Sequence, residues 1–219
     1  MELLSEADSR NGDCRNKKWT EEREYREEIM QEVSVIIPNF NGMAYLDGVL
    51  AGLECQSVNN FEVILVDNGS SDGSCAFVAA RYPWVHLIEL PENFGFCKAV
   101  NEGIKASRAP YVLLLNNDIE VTENFIEEMI FAIKRHPKAF SCAARMIQFH
   151  DRDKLDDAGN YYCALGWAYA RGKGKDIHIY EKEEKIFASC AGAAIYRKKI
   201  LIRLDTLMKN ILHILKIWM

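Results

Sequence analysis

Apolar residues along this chain follow two alternating rhythms. Short, nearly continuous runs occur in "VSVIIP" from Val33, "FEVILVD" from Phe61, "VHLIEL" from Val85 and "YVLLLN" from Tyr111. Their length and β-branched content predict strands buried on both faces. Between them, "MAYLDGVLAGLECQ", "SCAFVAARY" and "FCKAVNEGIKAS" space their apolar residues by three and four, the period of a helix with one buried stripe. Strand and helix therefore alternate, which predicts an α/β fold with a mostly parallel sheet flanked by helices. A further helix is predicted over "ENFIEEMIFAIKRH", with Thr122 at its N-cap and Pro137 just beyond its end. Next come a predicted strand in "FSCAARMIQF", a charged loop "HDRDKLDDAGN", an aromatic and glycine-rich stretch "YYCALGWAYARGKGK" and a strand through "IFASCAGAAIY".

Composition refines this picture at the ends. Residues 1–31 are mostly charged and polar and read as a flexible N-terminal extension. Residues 32–200 form one predicted domain, without internal repeat or low-complexity linker. Residues 201–219 are a hydrophobic tail in which Leu204, Leu207, Met208, Ile211, Leu212, Leu215 and Trp218 share one helical face. That face and the nearby lysines are compatible with peripheral contact at a membrane surface, although no window is long and apolar enough to span one. Seven cysteines, without a Cys-x-x-Cys pair, argue against a disulfide framework and a thiolate zinc site. A reducing, cytoplasmic setting is expected, at most at the inner face of the membrane. The net charge of -5 gives no basic face for nucleic acid.

Polar residues concentrate where the strands stop. The first strand runs into Pro38, Asn39 and Asn41, the second into "DNGSSDGS" beginning at Asp67, and the fourth into Asn116, Asn117 and Asp118. In an open parallel sheet, ligands bind beyond the carboxyl ends of the strands, so three neighbouring ends would surround one crevice. Each segment also has a purely structural reading. "DNGSSDGS" is a tight turn in which Ser71 or Asp72 caps a helix, "NFGFCKAVNEG" is a glycine turn and helix start, and Asp118 is a helix N-terminal acid. Their coincidence at one sheet edge favours a site. The chain contains neither a Gly-x-Gly-x-x-Gly loop nor a Gly-Lys-Ser/Thr phosphate loop.

The motifs "VSVIIPNFN", "FEVILVDNGSSDGS", "LPENFGFCKAVNEGI", "YVLLLNNDIEV" and "SCAGAAIYRKK" resemble, in order and spacing, family 2 glycosyltransferases of the GT-A fold. The branch they resemble includes rhamnosyltransferases of surface polysaccharide assembly. The resemblance covers Val33 to about Ile200 and implies a Rossmann-like sheet. It also implies transfer of a sugar from a nucleotide-diphosphate sugar donor to a saccharide or lipid-linked acceptor, with Mg²⁺ or Mn²⁺ as cofactor. On this reading Asp118 is the metal-binding carboxylate, with Asn116 standing where relatives often carry an aspartate. Pro38, Asn39 and Asn41 line the nucleotide pocket, while Asp67, Asn68 and Gly69 face the ribose and base. Asn93, Gly95 and Phe96 lie beneath the diphosphate, Ala99 and Asn101 on the helix below the donor, and Asn117 is also a nucleotide-sugar-binding residue.

Members of that branch continue past "AIYRKK" with a "GGFDE" turn and a Glu-Asp pair that supplies the catalytic base. Here the chain reads "ILIRLDTLMKNILHILKIWM", so no catalytic base is assigned. Codons for "LDTLMKNILHILKIWM" can be chosen that, read from their third base, encode "GYFDEEHFAYFEDMD". That shifted peptide has the missing pattern, and a frameshift near Leu201 is the expectation that follows.

Overall fold

The computed structural model describes residues 31–165 and 167–203. The expected N-terminal extension and the tail beyond Arg203 lie outside the described residues, apart from Gln31. A six-stranded sheet forms the centre, in the order β3-β2-β1-β4-β10-β5. Its strands are β1 (Val33–Asn39), β2 (Phe61–Asp67), β3 (His86–Glu89), β4 (Tyr111–Leu115), β5 (Ser141–Ala143) and β10 (Ala193–Arg197). The first four are mutually parallel, and β10 runs antiparallel between β4 and β5. The parallel strands are continuous apolar runs because both of their faces are covered.

Helices α1 (Met43–Glu54), α2 (Ser74–Arg81) and α4 (Phe125–Arg135) pack on one face, where Leu46, Leu50, Val78, Ile126 and Ile133 meet Val35, Ile37, Leu65 and Leu113. Helix α3 (Phe96–Ala106) and α5 (Lys198–Arg203) cover the other, placing Ala99, Val100, Ile104 and Leu201 against Ile36, Ile64, Val66 and Leu114. Leu201 is buried in this second core.

Several expectations are corrected. Thr122 is not the side-chain cap of α4; its carbonyl accepts from Phe125 N. The buried Gln56, just beyond α1, does that work: its Oε1 accepts from Ile126 N at 2.8 Å, and its Nε2 donates to the carbonyls of Gly52 and Thr122. A long-range carboxamide thus satisfies a helix N–H that would otherwise be orphaned. The strand expected over "FSCAARMIQF" breaks into β5 and β6 (Met146–Ile147), which join different sheets. Part of the expected charged loop is β7 (Leu155–Asp157), antiparallel to β6. The glycine-rich stretch contributes a hairpin, β8 (Asn160–Tyr162) with β9 (Ala168–Ala170). Of the last expected strand only β10 joins the main sheet, although Ala188 makes an isolated bridge to Asn160.

Arg197, at the end of β10, fastens that strand to α4. Its Nη2 donates to the carbonyls of Ile133 and His136 at 2.6 and 3.1 Å, and its Nε to Ala139 O at 2.9 Å. The guanidinium also lies over the Tyr111 ring at 5.6 Å. A cation at a helix C-terminus meets the negative end of the dipole as well as unpaired carbonyls. Arg197→Met is expected to lower unfolding free energy by about 2 kcal/mol, read as a lower urea midpoint, with nucleotide binding unchanged at saturating native conditions.

Candidate active site

The strand order reverses between β1 and β4, and the polar loops after β1, β2 and β4 gather there. Asn39, only 2% exposed, is the centre of the arrangement. Its Nδ2 donates to Asp67 Oδ1 at 2.8 Å and its Oδ1 accepts from Asn117 Nδ2 at 2.7 Å. One carboxamide therefore joins the ends of three strands. Leucine would fill the space at 39 but leave Asp67 short of a donor in a buried setting, where charge needs a partner.

The loops after β1 and β2 are stitched together further out. Ser70 Oγ accepts from Asn41 N at 2.8 Å, Asn41 Oδ1 accepts from Ser71 N at 2.9 Å, and Asn68 N donates to Asn39 O at 2.8 Å. Asn41 has φ of 49°, a left-handed conformation that asparagine tolerates better than most side chains. Asp72 bridges two helix starts. Its Oδ2 accepts from Met43 N at 2.9 Å and its Oδ1 from Ser74 N at 3.0 Å and from the Ser74 hydroxyl. These bonds, the Ser74 hydroxyl foremost, lower the Asp72 pKa below its ordinary value. The structural reading of Asp72 as a cap thus holds, and it serves α1 as well as α2.

A third loop closes the far side. Asn68 Nδ2 donates to Asn93 Oδ1 at 2.8 Å, Asn68 Oδ1 accepts from Phe94 N at 3.0 Å, and Asn93 Oδ1 also accepts from Gly95 N at 2.9 Å. Gly95 precedes α3 with φ 84° and ψ 164°, a region essentially reserved for glycine. It turns the chain from the loop into the helix.

These loops enclose a cleft of about 230 Å³ lined by Pro38, Asn39, Phe40, Asn68, Asn93, Gly95, Phe96 and Ala99. Seven of the predicted donor residues therefore line one cavity. Asp67 and Gly69 are not part of this lining. Asp67 is 1% exposed, with Oδ2 accepting from Ser70 N at 2.8 Å, so both of its oxygens organise the loop. Asn41 is exposed, and Asn101 is half-buried on α3. Lys98 is paired with Glu102 at 2.7 Å on the surface of α3.

Asn116 and Asn117 are half-buried and Asp118 is exposed. Asn116 N donates to Gly192 O at 2.8 Å, which ties the end of β4 to the turn entering β10. Among the described residues no group of three His, Cys, Asp or Glu side chains is arranged as a metal cage. The donor set instead is one exposed carboxylate with neighbouring carboxamides. That fits Mg²⁺ or Mn²⁺, hard ions that keep waters and take phosphate oxygens alongside one or two protein ligands.

Gly42 was not among the residues singled out by sequence. A Cβ there would lie 2.1 Å from Asn117 Nδ2 and 2.3 Å from Asn39 Oδ1, on top of the bond that joins β1 to β4. Its place in "PNFNG", directly after the polar strand end, is the only local signal for this role.

The family model "Glycosyl transferase family 2" matches residues 34–205. Glycosyltransferase GlyG of Streptococcus pneumoniae serotype 4 is 29% identical over 133 residues, covering 59% of this chain and 39% of that protein. The structure of S. aureus TarS 1-349 in complex with UDP-GlcNAc superposes with a TM-score of 0.59 at 21% identity, covering 80% of this chain and 47% of that one. Mannosyltransferase PcManGT from Pyrobaculum calidifontis, in complex with GDP-Man and Mn2+, gives 0.56 at 16% identity, covering 90% and 52%. The chain spans half the length or less of the first curated relatives it matches. The structural likenesses carry the fold, a GT-A type α/β sheet, while the family match covers most of the chain and all of the clefted sheet edge. The chain belongs to glycosyl transferase family 2.

Proposed function

We propose that the chain binds a nucleotide-diphosphate sugar and is the donor half of an enzyme that transfers the sugar to a saccharide or lipid-linked hydroxyl in polysaccharide or glycolipid assembly. The observation that carries this is the cleft at the β1/β4 reversal, with the Asn39 amide bridging Asp67 and Asn117 at its floor. The ligands of the similar structures, UDP-GlcNAc in TarS and GDP-Man in PcManGT, belong to the same donor class. Pro38, Asn39, Phe40 and Asn68 are suited to hold the nucleoside, with Asp67, Gly69 and Asn41 fixing their loops. Asn93, Gly95 and Phe96 would approach the diphosphate, above Ala99 and Asn101 on α3. Asp118, with Asn116 and Asn117 beside it, would hold Mg²⁺ or Mn²⁺. Such a cation supplies positive charge against the departing diphosphate. The surface-polysaccharide, rhamnosyltransferase-like branch and a cytoplasmic site of action belong to the same proposal.

General-base assistance usually contributes 10²- to 10⁴-fold, so transfer without such a base is expected to be slower by that factor. A second reading is binding of the nucleotide sugar without transfer, which differs from the first only in the chemical step. Incubation with UDP- and dTDP-sugars and Mn²⁺ separates the two. Slow nucleotide release above the protein-free blank is expected for the enzyme. Zero release with nucleotide binding retained selects the second reading, and absence of nucleotide binding removes both.

A further inference from the structure

The hairpin β8–β9 carries Tyr162, Leu165, Trp167 and Tyr169, four of the exposed large apolar side chains among the described residues. Cys163 N donates to Trp167 O at 2.9 Å and closes its turn. At the tip Leu165 is 86% and Trp167 65% exposed. In the ladder Tyr161 faces Tyr169, and Tyr162 faces Ala168, so aromatic rings stand on both sides. Tyr161 and Tyr169 lie 5.8 Å apart on one side, while Tyr162 stacks at 5.7 Å on the exposed Phe187 on the other. A folded protein partner covers one face of such a projection. A medium that surrounds the tip covers both.

Charge follows the same axis. Residues 158–175 contain Arg171, Lys173 and Lys175 and no carboxylate, while Asp156, Asp157 and Asp176 flank them. Arg171 is turned inward, paired with Glu184 and lying 3.9 Å from the Tyr180 ring centroid. It anchors the base of the hairpin. Lys173 and Lys175 are exposed there, Lys173 sharing Asp156 at 3.3 Å. Three-residue strands span about 10 Å, which matches the roughly 5–10 Å depth of interfacial insertion. With Leu165 and Trp167 at that depth, the tyrosine hydroxyls and the two lysines stand at headgroup level, where amphipathic aromatics and cations are favoured.

We propose that the β8–β9 hairpin docks the protein on a phospholipid surface bearing anionic headgroups. The test uses the full chain, whose apolar residues 204–219 make comparison with the parent essential. The parent is expected to co-sediment with phosphatidylglycerol/phosphatidylcholine vesicles, and the Leu165→Ser/Trp167→Ser variant to partition about tenfold more weakly. Phe131→Ser, an exposed aromatic on α4, is expected to bind as the parent does. Brominated lipid is expected to quench the parent's tryptophan emission, and Trp167→Phe to remove that quenching. The proposal is overturned if the parent ignores the vesicles or the double variant partitions like the parent. It is also overturned if the variant changes only self-association in light scattering, which would make a second copy the occupant.

Discussion

Asp118→Ala is expected to remove the Mn²⁺-dependent part of UDP or dTDP binding, weakening it about 100-fold, or about 2.7 kcal/mol, in calorimetry. The size of the effect follows from how few protein ligands the site offers. Asn116 and Asn117 contribute only neutral amides, and Asp118 is the acidic residue at the end of the buried strand β4. A hard divalent ion bound through one carboxylate and phosphate oxygens loses its only anionic protein ligand in the variant. Stability should barely move, because surface substitutions away from caps and networks usually stay within about 0.5 kcal/mol, and Asp118 is exposed. Nucleotide binding in the absence of metal is expected to be unchanged. If metal-dependent binding survives the substitution, Asp118 is not the metal ligand.

Gly69→Ala should damage both the fold and the site. Gly69 has φ of +78°, and a Cβ there would sit 2.6 Å from Glu92 Cα and 2.7 Å from Glu92 C. Those atoms are backbone, so no rotamer change relieves the overlap. The left-handed conformation alone costs a non-glycine residue roughly 1–2 kcal/mol, and separating the loops would break the Asn68–Asn93 and Asn68–Phe94 bonds. A total loss of about 3–4 kcal/mol is expected, with a large fall in thermal midpoint and loss of donor binding. Gly73→Ala is the informative partner. That residue also has positive φ, 90°, but its Cβ would meet nothing within 4 Å, so only the conformational cost remains. Equal destabilisation by both variants would show that contact with Glu92 contributes nothing.

The parallel half of the sheet was legible because its strands need no partner information to be recognised. "VSVII" and "YVLLL" are buried on both faces, and their apolar runs stand out against helices with a period near 3.6. The stretch from 140 to 188 was harder, for a physical reason. β7 buries only Leu155 and Asp157, and one leucine among "DKLDD" carries no period. The split between β5 and β6 depends on which distant strands they meet, β10 and β7. At the site, the positions of the amides could be read, but not their partners. Asn39 finds Asp67 and Asn117 at separations of 28 and 78 residues. Gln56 reaching Ile126 across 70 residues displaced the local Thr122 cap for the same reason.

The place of β10 also bears on how the chain assembles during synthesis. β4 is flanked by β1 on one side and by β10 on the other, and roughly 80 residues separate the end of β4 from the start of β10. At 5–20 residues per second the ribosome needs about 4–16 s to make that interval. Throughout it "YVLLL" has one unpaired edge, a flat apolar template of the kind that recruits other nascent strands. The same strand that later delivers Asn116, Asn117 and Asp118 therefore gains its second neighbour only once β10 has been made.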